Sequence, residues 1–121
     1  MNKILVEISV GELLDKISIL EIKLNKVEDN KKLDFIRNEH LILTDQLEKN
    51  VKSDEKLKKL FSSLKEINVK LWVIEDEKRK CEKDKNFKEK FIKLSRDVHF
   101  LNDERAKIKL KINNYTGSKI K

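Results

Sequence analysis

The stretch that decides the fold is residues 57–81, LKKLFSSLKEINVKLWVIEDEKRKC. Its apolar residues recur at spacings of three and four, which places them on one side of an α-helix over more than three heptads. The positions with this spacing are Leu57, Leu60, Leu64, Ile67, Leu71, Ile74, Lys78 and Cys81. A long helix with one continuous apolar face predicts packing against other helices.

The same spacing predicts two shorter helices before this stretch. Ser9 and Glu12 form a capping-box pattern, which predicts that the first helix begins at Val10. It is expected to end near Glu28, before the polar pair Asp29-Asn30. The second helix follows that break and ends near Asn50, and its apolar face contains Leu33, Ile36, His40, Leu43 and Leu47.

The stretch itself lies in a third helix, and a fourth one follows it. Ser53 is the predicted N-cap of the third helix, and the chain is expected to turn at 83–86. Asn86 with Glu89 predicts a capping box for the fourth helix, which should end at Gly117. Its apolar face contains Phe87, Phe91, Leu94, Val98, Leu101, Arg105, Ile108, Ile112 and Tyr115.

These elements predict one all-α domain over residues 1–121, with a leader at 1–9 and a frayed basic tail at 116–121. Two long helices joined by a short turn predict an antiparallel hairpin, on which the two shorter helices pack. Further apolar residues widen the faces: Leu14, Ile22, Phe35, Ile42, Phe61, Val69, Val73, Ile92 and Leu110. Such wide faces favour a four-helix bundle or a coiled-coil-like homodimer.

The composition excludes several classes of protein. The chain has no Pro and two Gly, so it lacks the turn residues of a β-sandwich or barrel. No apolar run is long enough to span a membrane or to act as a signal peptide, which predicts a cytoplasmic protein. The lone Cys81 cannot close an internal disulfide. The lysine excess is typical of an AT-rich genome, so the net charge of +7 is a weak indication of an acidic partner.

Against this lysine background, the four arginines are better candidates for sites that need a planar guanidinium: Arg37, Arg79, Arg96 and Arg105. Three polar residues also occupy apolar-face positions, namely His40, Lys78 and Arg105. Each would be costly to bury without a partner. They are interpreted either as structural ion pairs that fix the register of the helices or as parts of a ligand pocket.

The ligand hypothesis assigns specific roles. Arg79, Arg96 and Arg105 would clamp an anionic small molecule such as a nucleotide or sugar phosphate, and Trp72 could stack on it as an alternative to core packing. No cofactor is predicted for an interaction module, whereas the ligand hypothesis allows Mg²⁺, because hard cations bind carboxylate oxygens. The candidate metal ligands are Glu12, Asp15, Glu75, Asp76 and Asp103.

No complete catalytic constellation occurs in the sequence, which favours a protein without enzymatic activity. The acidic residues resemble those of all-α nucleoside triphosphate pyrophosphatases, and Asp76 with Arg79 resembles the cationic sites of helical chorismate mutases, but each match is partial. From Arg105 to the end there are six cations and no acid. Lys107, Lys109 and Lys111 are spread around a helix, so specific nucleic-acid binding is not favoured.

Three stretches, residues 8–23, 71–79 and 91–107, resemble a family of small uncharacterised helical proteins of bacteria and phages, a domain of unknown function. The resemblance implies a supporting role in surface polysaccharide synthesis. It also adds Lys16, Lys23 and Asn102 to the ligand-binding candidates. The function predicted from the sequence is a helical protein–protein interaction or assembly module, and the alternative is a binding protein or metal-dependent enzyme for an anionic small molecule.

Overall fold

The computed structural model describes residues 3–121 and contains four α-helices. They are α1 (Val10–Lys26), α2 (Asn30–Asn50), α3 (Glu55–Lys83) and α4 (Glu89–Thr116). No strand occurs among the described residues, so the prediction of an all-α protein is confirmed. None of these helices combines the length and the apolar character that a membrane span requires.

Two of the predicted helix caps are confirmed. The hydroxyl of Ser9 accepts a hydrogen bond from the Glu12 amide at 3.0 Å, so α1 begins where the capping-box pattern places it. Gly117 ends α4 with φ of +67°, in the left-handed region that favours glycine.

Two other caps were predicted wrongly. Asp54, not Ser53, caps α3, and its carboxylate accepts the Leu57 amide at 2.8 Å. Asn86 does not cap α4, which begins at Glu89. The backbone amide of Asn86 instead donates to the Cys81 carbonyl at 2.8 Å, so this residue closes the end of α3.

Helices α3 and α4 pack along each other. Near the turn that joins them, Glu77 pairs with Lys90 at 3.0 Å, and the Lys78 ammonium lies 5.6 Å from the ring centre of Phe91. At the other end, the Tyr115 hydroxyl donates to Asp54. The first two contacts join the end of α3 to the start of α4, and the third joins the start of α3 to the end of α4. This is the pattern of two antiparallel neighbours.

Helix α1 crosses one half of this pair and completes the core. The buried cluster consists of Leu14, Leu57, Leu64 and Ile112. Seventeen residues make α1 about 25 Å long, whereas the 29 residues of α3 span about 43 Å. Helix α1 is therefore too short to cover the whole pair. Below, the covered half means residues 57–68 and 105–116, and the outer half means residues 69–83 and 89–101.

Helix α2 lies alongside α1 and has no fully buried residue. Its predicted apolar face is half-buried, while Phe35, Leu41 and Ile42 point into solvent. Leu47 near its C-terminal end packs against the core cluster. Of the two shorter helices, α1 thus makes most of the contact with the long pair.

Candidate functional site

A buried polar network connects α1, α3 and α4 in the covered half. Its centre is Asp15, whose side chain is 1% exposed. Ser18, Asn68 and Asn113 are also buried. A buried carboxylate is strongly destabilising unless other groups neutralise it and satisfy its oxygens. The contacts of Asp15 therefore indicate whether this cluster holds the helices together or is open to a ligand.

Both carboxylate oxygens of Asp15 have donors. Arg105 donates from Nε to Oδ1 at 3.0 Å and from a terminal guanidinium nitrogen to Oδ2, so the pair is bidentate. The Asn68 amide donates to Asp15 Oδ1 at 2.8 Å and to the Ser18 hydroxyl oxygen at 2.7 Å. The Ser18 hydroxyl in turn donates to the Asp15 carbonyl at 2.7 Å. Each oxygen of this carboxylate therefore has at least one donor from a neighbouring helix.

The charges around Asp15 favour its ionised form. Burial alone would raise its pKa, but the hydrogen bonds from Arg105 and Asn68, with the charges of Arg105 and Lys109, outweigh that effect and lower the pKa. The Lys109 ammonium lies 3.6 Å from Asp15 and 2.5 Å from Glu12. The network is thus charge-balanced by two cations facing two acids.

The first turn of α1 is held tightly against α4. The amide of Gly11 donates to the side-chain oxygen of Asn113 at 2.7 Å. A Cβ at position 11 would lie 2.6 Å from the Lys109 carbonyl oxygen and 2.9 Å from that Asn113 oxygen. Only glycine permits this approach without displacing the α4 backbone.

A second polar cluster joins α2 to the bundle. Glu21 of α1 accepts a hydrogen bond from Lys65 of α3 at 2.9 Å, and its other oxygen lies 3.1 Å from His40 Nε2. His40 occupies an apolar-face position, and Glu21 provides the partner that such a position requires. Lys78, the third such residue, contacts the Phe91 ring instead.

The structure does not bring the candidate ligand clamps together. Arg105 is bound to Asp15 in the covered half. Arg79 is exposed and pairs with Asp76, one turn away on the same helix, at 3.0 Å. Arg96 is exposed on the outer half and has no ion pair within the described residues.

The remaining candidates are dispersed. Lys16, Asn102 and Asp103 are exposed, whereas Glu12, Lys23, Trp72 and Glu75 are half-buried. Asp103 has His99 as a neighbour at 3.8 Å. Among residues 3–121, no three His, Cys, Asp or Glu side chains are grouped as a metal ion would require.

The outer half presents an apolar surface to solvent. We call it the outer apolar surface and define it by Val69 and Val73 of α3 and Ile92 and Phe100 of α4, which are 38%, 47%, 56% and 55% exposed. Shallow depressions on both sides of Phe100 connect these four residues, and Arg96 lines two of them. Contiguous exposed apolar patches of this kind mark interaction surfaces.

Sequence reasoning missed several members of the buried network. Asn68 was not selected, although it interrupts the apolar run Ile67-Asn68-Val69, and Asn113 was not selected either. Residues close to Arg105 in sequence, such as Asn102 and Asp103, and the acids of the first helix were all possible partners for it, and the structure selects Asp15, 90 residues away. A polar residue inside an apolar run was the available signal for Asn68.

The comparison with known families decides the membership of the chain. Residues 4–121 match the sequence model of DUF6165, a family of unknown function. The chain belongs to this family. The match covers all four helices of this DUF6165 member and both polar clusters. Comparisons with curated proteins and with solved structures found no match.

Proposed function

We propose that this DUF6165 chain is a protein–protein interaction or assembly module that forms a homodimer through its outer apolar surface. The observation that carries the proposal is the exposure of Val69, Val73, Ile92 and Phe100 on the half of the α3–α4 pair that α1 leaves uncovered. Burying such side chains against a partner is favourable because it removes apolar area from water.

The charges around this surface favour a second copy as the partner. Cations and acids alternate in the depressions beside Phe100, where Lys70, Lys93 and Arg96 accompany Glu89 and Asp97. In a twofold-symmetric contact, the same surface of both copies takes part, in opposite orientations. A surface that carries both cations and acids can therefore place the cations of one copy against the acids of the other. Arg96 is suited to the centre of such a contact, because arginine beside aromatic and aliphatic groups is enriched among energetically important interface residues.

The buried network supports the same proposal in a different way. Asp15 and its partners are fully occupied by one another, as expected for ion pairs that set helix register. We assign them a structural role, in which they orient the α3–α4 pair and so present the outer apolar surface. The supporting role in surface polysaccharide synthesis that the resemblance implies would be compatible with such a module.

Oligomeric state tests the proposal directly. Multi-angle light scattering of the native chain over about 10–100 µM should give an average mass above the 14.4 kDa of one chain that rises with concentration towards the mass of a dimer, as mass action requires. The double variant Val73→Asp/Phe100→Asp should give the mass of a monomer. Leu41→Asp is the matched control, since Leu41 is 68% exposed on α2 and lies outside the surface. A native monomer, or equal disruption by Leu41→Asp, would contradict the proposal.

The alternative is a binding site for a nucleotide or sugar phosphate, with or without Mg²⁺. Its best local support is Arg96, an arginine without an ion pair in the described chain, at the edge of a shallow depression lined by Ile92 and Phe100. Arg79 and Arg105 are paired with Asp76 and Asp15, so the structure supports this alternative less than it supports the homodimer. A thermal-shift screen of nucleotides and nucleotide sugars separates the two, because ligand binding to the folded state raises its apparent stability. We expect no ligand-dependent shift.

A further inference from the structure

The segment before α1 exposes three consecutive aliphatic side chains. Ile4, Leu5 and Val6 are 87%, 90% and 73% exposed, and residues 3–9 form neither helix nor strand. The segment joins the bundle at its C-terminal end. Ser9, which follows it, is buried as the cap of α1, and the Val10 amide donates to the Ser118 hydroxyl at 3.2 Å. The end of the aliphatic segment, at Ser9 and Val10, is therefore fixed beside Ser118 of the C-terminal tail.

The same end of the molecule concentrates positive charge. The start of α3 meets the end of α4 there, because Lys56 lies 4.6 Å from the ring centre of Tyr115 and Lys121 bonds Asn114 at 2.8 Å. We call this end the basic pole. Its lysines that have no carboxylate partner among the described residues are Lys52, Lys56, Lys59, Lys111, Lys119 and Lys121.

The acids at the basic pole are largely occupied. Asp54 caps α3 and accepts the Tyr115 hydroxyl, Glu55 lies 3.7 Å from Lys58, and Glu12 is paired with Lys109. Glu7 is the remaining acid of the segment. The pole thus keeps a positive excess next to exposed aliphatic residues, a combination that differs from the balanced charges around the outer apolar surface.

We infer that the basic pole binds an anionic lipid surface, with the side chains of Ile4, Leu5 and Val6 entering the headgroup region and the lysines lying against lipid phosphates. Peripheral membrane binding uses this pairing of apolar insertion and basic charge. Tyr115 is half-exposed beside Lys56, and tyrosine suits the boundary between apolar and wet regions. Nucleic acid fits less well, because aliphatic side chains do not stack on bases and none of these cations is an arginine.

Vesicle cosedimentation of the full chain tests this inference without relying on the proposed dimer. Vesicles of phosphatidylcholine with about 30% phosphatidylglycerol should bind the chain at least about tenfold more tightly than phosphatidylcholine alone, and added salt should weaken that binding. Equal binding to both vesicles, or no binding to either, overturns the inference. Binding to a DNA duplex in the absence of vesicle binding overturns it in favour of a nucleic-acid surface.

Matched variants separate the two contributions. Leu5→Asp should lower binding about tenfold, whereas Leu41→Asp on α2 should not change it. Lys119→Glu/Lys121→Glu should lower binding at least about thirtyfold, whereas Lys31→Glu/Lys32→Glu at the start of α2 should have little effect. Retained binding in either pole variant contradicts the inference. All four variants change exposed residues, so unchanged helical circular dichroism confirms that each still folds.

Discussion

The two halves of the α3–α4 pair carry the same apolar spacing but differ in what lies over them. In the covered half, α1 packs on the pair and buries Leu57, Leu64 and Ile112. In the outer half, the residues with this spacing are only half-buried apart from Cys81, and Val73, Ile92 and Phe100 beside them face solvent. The difference shows that periodicity determines which face of a helix is apolar, while the length of a neighbouring helix determines how much of that face is buried.

The two halves also use polar residues differently. The covered half contains a carboxylate and a guanidinium that satisfy each other with little access to water. The outer half contains pairs such as Asp76 with Arg79, which are exposed and within one helix. An ion pair across buried helices fixes their relative position, whereas an exposed pair within one helix contributes little.

The largest expected effect is that of Arg105→Ala. It leaves the Asp15 carboxylate buried without its bidentate partner, so the free energy of unfolding should fall by about 3 kcal/mol. Arg79→Ala is the matched control in the outer half and should change it by less than about 0.5 kcal/mol. Urea unfolding followed by circular dichroism at neutral pH measures both. Similar losses in the two variants would remove the distinction between the halves.

Gly11→Ala should be the next most destabilising. In an ordinary helix interior this change stabilises by about 0.5–1 kcal/mol, but here the new Cβ meets the Lys109 carbonyl. Crowding against backbone should instead reduce the free energy of unfolding by about 1–3 kcal/mol. The sign of the change, measured by the same urea titration, is the test. A stabilised variant would show that α1 does not approach α4 as closely as described.

A smaller effect is expected from acid. The pKa of Asp15 is lower in the folded protein, so its ionised form stabilises the fold above the unfolded pKa of about 3.9. That contribution is lost as the pH falls through the lower folded value. From about pH 6 to about pH 3, the native chain should therefore lose more stability than Asp15→Asn. The difference between the two pH profiles isolates Asp15. Asp54 and Glu77 also have lowered pKa values, but both groups titrate in the native chain and in the variant, so their contributions cancel. Parallel pH profiles would refute the assignment.

The sequence predicted the four helices and their apolar faces well, because spacing is a local property. The half-buried positions of α2, from Leu33 to Leu47, follow the predicted face closely. The cap predicted at Ser53 was wrong by one residue, because the adjacent Asp54 accepts the α3 amide instead, and the cap predicted at Asn86 was wrong because the Asn86 amide closes α3 and no side chain caps α4. Asp54 and Ser53 could both cap α3, and only the backbone conformation selects between them.

The site was predicted only in part. Asp15 and Arg105 were both selected as candidates, but for different roles and without the knowledge that they meet. Their contact spans 90 residues and depends on where α1 crosses α4. Likewise, Ile22 and Val73 were both predicted to extend the apolar face of their helix, yet Ile22 is buried and Val73 is exposed. Nothing local distinguishes them, because their burial depends on which neighbour reaches them.

The attachment of α2 has a consequence for how the molecule opens. This helix has no fully buried residue and reaches the rest of the bundle through α1, the Glu21–His40 contact and Leu47. Every described apolar side chain of α2 is already at least partly exposed, so this helix should form the least stable cooperative unit of the bundle. Amide protons of α2 would then exchange with solvent while those of α1, α3 and α4 remain protected, and a protease would cut within residues 30–50 before the core is lost.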